Sequence, residues 1–213
     1  QSNLLTGNVG NGILVTDSTG NDILDNTVNG SNGPGVGLEL SDNNLVRGND
    51  LRFNGDGISL SEANNNRIEF NDASGNVGGG ITLDTLSLNN EILMNIVSVN
   101  GGEGIYVVEN APVGQGNLIE GNTANGNGGD GIIVDGAGHT LNNNVANYNA
   151  GWGIYAPLGA AGTGNRAVGN VEPGQCFGIV CDTSGAIPGA PETTILEHPD
   201  AVSNSRNARF TYT

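Results

Sequence analysis

Six acidic residues, Asp17, Asp42, Glu62, Asp84, Glu109 and Asp135, recur at intervals of 25, 20, 22, 25 and 26 residues. If that interval closes one turn of a coil, neighbouring carboxylates stand about 5 Å apart in a line. Hard cations such as Ca2+ bind several carboxylate oxygens in this way. Without a cation, the same line is a solvated acidic edge that deters aggregation. Both readings stand, and these six residues are the expected metal set. A second pattern is aromatic and lies towards the C-terminus. Tyr106 and Tyr155 sit two residues after a recurring glycine, alongside Ile133 and Val180, while Trp152 and Phe177 immediately precede one. Together they form an exposed apolar stripe suited to a sugar ring or another protein. The alternative is a stripe covered by the chain's own tail.

Groups able to move a proton are scarce. Lys is absent, and only His139 of the two histidines lies within the repeated part. Removing a proton next to a uronate carboxylate needs a Lys, Arg, His or Tyr beside acidic groups, and glycoside hydrolysis needs two carboxylates at a set separation. No such constellation is legible. Arg47, Arg52 and Arg67 fall in neighbouring repeats, where a solvated surface is their default and an anionic sugar the alternative. The formal net charge of −16 disfavours nucleic acid and anionic membranes as partners. No apolar run reaches the length of a membrane span.

The elements that would position these residues are set by a repeat. One anchor, N-x-[IVL]-x-x-N, begins at Asn3, Asn21, Asn44, Asn66, Asn90, Asn117 and Asn165, with His139 in place of Asn in the remaining unit. A second, G-[IV]-x-[LVAC], begins at Gly12, Gly35, Gly57, Gly80, Gly104, Gly131, Gly153 and Gly178. A period near 22 residues denotes a solenoid. Within a unit, apolar and polar residues alternate over short runs separated by Asn and Gly, which predicts strands and turns. Such strands cannot pair inside their own unit, so they pair with the next, in parallel. The expected fold is all-β, a right-handed parallel β-helix of about eight coils spanning 1–184. The second Asn of each first anchor (Asn8, Asn26, Asn49, Asn71, Asn95, Asn122, Asn144 and Asn170) is expected to stack as one amide ladder. His139 reads as a ladder substitute rather than a base.

On both anchors, as in Asn44-Leu-Val-Arg-Gly-Asn49 followed by Gly57-Ile-Ser-Leu60, the chain resembles the right-handed parallel β-helix repeat proteins over residues 3–182. That resemblance implies the fold. It also implies a range of roles, from polysaccharide lyases, epimerases and hydrolases to tailspikes and bacterial surface proteins. The tyrosine–aspartate–histidine cluster of alginate-epimerase-like members has no match at the level of motif.

Cys176 and Cys181 are separated by four residues and can bond only if the Gly178 region bends; a disulfide is expected. The first unit reads as short, with four residues between Asn8 and Gly12 against nine between Asn26 and Gly35. After a linker at 185–191, residues 192–213 resemble the opening strands of a bacterial immunoglobulin-like module. They are either a truncated module or a lone strand, Phe210, Thr211, Tyr212 and Thr213, that adds to a neighbouring sheet. The leading expectation is a secreted or cell-surface structural module without enzymatic activity. It would associate end to end with copies of itself, or with other modules of a larger surface protein. A polysaccharide-binding or polysaccharide-modifying (lyase- or epimerase-like) β-helix is the alternative.

Overall fold

The computed structural model describes residues 2–84, 86–108, 111–112, 114–171 and 174–184. The linker, the tail and the strand Phe210, Thr211, Tyr212 and Thr213 lie outside them. The described residues form a parallel β-solenoid with three walls. The first wall is an eight-stranded sheet: Ile13–Thr16, Val36–Glu39, Ile58–Ser61, Ile81–Leu83, Ile105–Val107, Ile132–Val134, Ile154–Tyr155 and Cys176–Phe177. The second is a six-stranded sheet: Asp22–Leu24, Leu45–Arg47, Arg67–Glu69, Glu91–Leu93, Leu118–Glu120 and Thr140–Asn142. The third is a line of parallel bridges through Thr27, Asp50, Asp72, Ile96, Thr123, Val145 and Arg166.

Alternation along each short strand sends one set of side chains inward. Ile58, Leu60, Ile81, Leu83, Ile105, Ile132 and Ile154 from the first wall meet Val46, Ile68, Ile92, Ile119 and Leu141 from the second. The third wall contributes smaller residues, Val28, Leu51, Ala73, Val97, Ala124 and Ala146. The anchor glycines stand where this wall approaches closely. A Cβ on Gly104 would lie 2.9 Å from the Ala124 methyl and 2.8 Å from the Asn127 amide, so any larger residue would push the walls apart.

Asparagine stacks at three corners, not one. The first column runs Asn21, Asn44, Asn66, Asn90, Asn117 and His139. The second runs Asn3, Asn26, Asn49, Asn71, Asn95, Asn122, Asn144 and Asn165. The third runs Asn8, Ser31, Asn54, Asn76, Asn100, Asn127, Asn149 and Asn170, ending on Gln175. The expected single ladder is therefore corrected at its two ends: Asn8 and Asn170 belong to the third column, and Asn3 and Asn165 take their places in the second. Successive corners are five residues apart (21, 26, 31 and 44, 49, 54), so one five-residue motif fits either pair of corners. The first unit is accordingly not short. Asn8 to Gly12 matches Ser31 to Gly35, four residues in each case.

A rung needs both an acceptor and two donors. Asn95 donates its backbone N–H and one Nδ2 hydrogen to Oδ1 of Asn122, at 2.9 and 3.0 Å. The other Nδ2 hydrogen goes to the Ile68 carbonyl at 2.9 Å, and Asn95 Oδ1 accepts from Asn71. Aspartate lacks the donors and leucine lacks both.

Candidate functional site

The outer surface of the eight-stranded sheet carries three parallel rows. The middle row, fixed by strand register, reads Leu14, Gly37, Ser59, Thr82, Tyr106, Ile133, Tyr155 and Phe177. On one side, at the residue preceding each anchor glycine, stand Pro34, Asp56, Gly79, Glu103, Asp130 and Trp152. On the other side, beyond the strands' far ends, stand Glu39, Ser61, Asp84, Val108 and Asp135. The middle row thus changes from small and polar to bulky and aromatic along the solenoid, and acidic residues border it on both sides.

The last two coils gather three rings. Trp152 lies 5.8 Å from Tyr155 and 5.8 Å from Phe177, centroid to centroid, and Tyr155 stacks on Phe177 at 5.4 Å. This brings together three of the four expected contact residues. Its register corrects the expectation in one respect. Cys176 pairs with Ile154 and Phe177 with Tyr155, so Gln175, not Gly178, occupies the anchor-glycine position of the last coil. Phe177 consequently takes the middle-row place expected for Val180, which is left exposed. Gly178 serves another purpose. It has φ +74° and lets the chain turn back so that Cys176 and Cys181 bond, their Cα atoms 6.2 Å apart. A Cβ there would collide with the Ala156 carbonyl.

Tyr106, two coils before Tyr155 in the same row, is part-buried and donates from Oη to Asp135 Oδ2 at 3.0 Å. Burial first, then this bond and the charges of Asp135, Glu103 and Asp84, hold its phenol above the ordinary tyrosine range. Tyr106 is therefore a protonated donor ringed by carboxylates from both flanking rows. Chemically, this pairs an acid (the phenol) with bases (the carboxylates) beside a platform of rings that can orient a sugar.

The six acidic residues expected to form one line do not do so. Asp17 and Glu62 both adjoin Leu40, two coil steps apart, about 10 Å. Asp42 lies in a different column, where its carboxylate accepts from the Asn64 backbone at 2.7 Å. Asp84 and Asp135 share a third column with Val108 between them. Glu109 lies outside the described residues. Coil lengths vary after the strand, so equal sequence intervals do not give equal height or azimuth. Among the described residues no three metal-ligating side chains gather. The flanking acids Glu103 and Asp130 stand in the sequence as Gly101-Gly-Glu-Gly104 and Gly128-Gly-Asp-Gly131, whose spacing of 27 residues does not fit a nine-residue calcium-binding repeat, and Asp56 takes the same place before Gly57 without any such signal.

The described arginines lie away from this face. Arg47 and Arg67 rise from the six-stranded sheet and pair with the buried Glu69 at 3.6 and 2.7 Å, and Arg67 also reaches Glu91. Arg52 pairs with Asp50 at 2.6 Å and Asp72 at 3.7 Å on the third wall. His139 is buried at the end of the first Asn column, where its Nδ1 accepts from the Asn117 backbone at 3.1 Å. It caps the column, as the sequence suggests.

A family model described as "Right handed beta helix region" matches residues 1–147. No curated protein is significantly similar to the chain. Among solved structures, the periplasmic alginate epimerase AlgG superposes with a TM-score of 0.63 at 27% identity, covering 68% of this chain and 35% of that one. The A-modules of the Azotobacter vinelandii mannuronan C-5 epimerases AlgE4 and AlgE6 give TM-scores of 0.62 and 0.58 at 15% and 20% identity. They cover 85% and 72% of this chain, and 56% and 44% of their own. The chain thus spans about a third of AlgG and about half of each A-module.

Proposed function

Since the chain belongs to the right-handed β-helix family, we propose that it is the sugar-contacting part of a polysaccharide-modifying protein that acts outside the cytoplasm. The observation that carries this reading is the outer face of the eight-stranded sheet. There Tyr155 and Phe177 continue the row that holds Tyr106, Trp152 packs beside them from the flanking row, and carboxylates stand on both sides of Tyr106. A flat aromatic run can stack on successive sugars, while Tyr106 and its acidic neighbours can exchange protons with the chain lying across them. The likeness to alginate epimerases supports this over the non-enzymatic, self-assembling module, to which no comparison lends support. Among the described residues no helix is long and apolar enough to cross a membrane. The disulfide favours an oxidising compartment such as the periplasm or the cell exterior.

The test is binding to an array of plant, algal and bacterial polysaccharides by the full chain and by Trp152→Ala. Retention of one glycan class by the wild type, with at least a tenfold loss in the variant, is expected. Indifference to every glycan, or binding that survives Trp152→Ala unchanged, would overturn the reading.

A further inference from the structure

Resting on that reading, we propose that the polysaccharide this face accepts carries no carboxylates, its sugars being neutral or amino-bearing. Three independent observations agree. First, the middle row before the ring cluster is bordered by Asp56, Glu103 and Asp130 on one side and by Glu39, Asp84 and Asp135 on the other, so a chain lying along it meets negative charge from both sides. Second, no strand of this sheet contains Lys or Arg; of the four described arginines, Arg47, Arg52 and Arg67 are paired with carboxylates on the other two walls and Arg166 is buried on the third wall. Among the described residues, a polyuronate would find no cation on this sheet to offset its own charge. Third, the described acidic residues do not converge into a group that could hold a bridging divalent ion.

The same carboxylates suit a different ligand. Sugar hydroxyls and ammonium groups are donors, and bonds from them to ionised carboxylates are among the stronger hydrogen bonds. The ring cluster supplies the apolar floor on which the C–H faces of such sugars lie. The net charge of −16 adds long-range attraction for an amino-bearing chain and repulsion for a polyuronate, both weakened by salt.

The experiment is calorimetric titration of the full chain, in EDTA, with three hexasaccharides: a β-1,4-glucan, a β-1,4-linked glucosamine oligomer and a mannuronate oligomer. The glucan or the glucosamine oligomer is expected to bind at least tenfold more tightly than the mannuronate. Raising the salt to 0.5 M separates the two sources, because it weakens the glucosamine arm and leaves the glucan arm unchanged. Asp84→Asn combined with Asp135→Asn should narrow the gap between glucosamine and mannuronate, and Trp152→Ala should weaken every arm that binds. Mannuronate binding as tightly as the others, or more tightly, overturns this inference and leaves the proposed function standing. Silence in all three arms, or a Trp152-dependent dimer in their place, overturns both.

Discussion

Tyr106 illustrates how a single side chain acquires chemistry from its neighbours. Its phenol is held above the ordinary range by burial and by Asp135, so it stays protonated where a free tyrosine would begin to ionise, near pH 10. The folded value exceeds the unfolded one. The resulting stability is therefore complete below about pH 10 and is lost as pH climbs through the folded value. Ultraviolet titration should show the Tyr106 phenolate, identified by its loss in Tyr106→Phe, appearing above the free tyrosine value. Asp135→Asn should move that step back towards the free value without reaching it, since burial remains; a step that does not move would contradict the assignment. At the Asn corners, the accounting is of donors and acceptors. Asn95→Ala removes the buried acceptor of the Asn71 backbone N–H and Nδ2 and the side-chain donor to the Ile68 carbonyl, leaving only the backbone N–H bond to Asn122. It should cost about 2–3 kcal/mol in chemical denaturation. The exposed change Val77→Ser, within about 0.5 kcal/mol, is its control.

At the scale of the strand and turn, exposed hydrophobes that would suggest a binding patch have a structural cause. Phe53, Val99 and Tyr148 occupy one turn column with φ of 60°, 59° and 56°, and each leans over a glycine of the next coil: Gly75, Gly126 and Gly169. Bulky and glycine residues alternate along this column, so each bulky side chain has room over the glycine of the next coil. Gly169→Ala places a Cβ against the Tyr148 ring at positive φ. It should destabilise by about 1–3 kcal/mol, read as a lower denaturation midpoint. Conversely, His139→Asn restores the residue found elsewhere in its column and should change stability by less than about 1 kcal/mol. His139→Leu, which removes the acceptor for the Asn117 N–H, should cost more. The strands, the glycine anchors and the need for an amide ladder were all legible, because a repeated side chain in a solenoid must meet its own copy. The ladder's ends were not. Three corners at one five-residue spacing make register ambiguous where a coil is incomplete, and only backbone pairing separates Asn3 and Asn165 from Asn21 and Asn44.

For the solenoid as a whole, the sequence identified the architecture and three members of the ring cluster, yet put first the role that the likeness to solved structures supports less well. The reason is physical. A site on a β-helix face is assembled from residues some 22 apart, one or two per coil, so it leaves no contiguous motif. Tyr106 and Asp135 are 29 residues apart and bonded, while the five described members of the evenly recurring acid series are dispersed over three columns. On the proposed reading, this face carries out chemistry on a polysaccharide. The most direct measurement is proton NMR of the anomeric region while candidate glycans are incubated with the full chain or with Tyr106→Phe. New anomeric signals with the wild type, appearing at least about a hundredfold more slowly with the variant, are the predicted result. Spectra unchanged for every glycan, or equal rates for the two proteins, would contradict it.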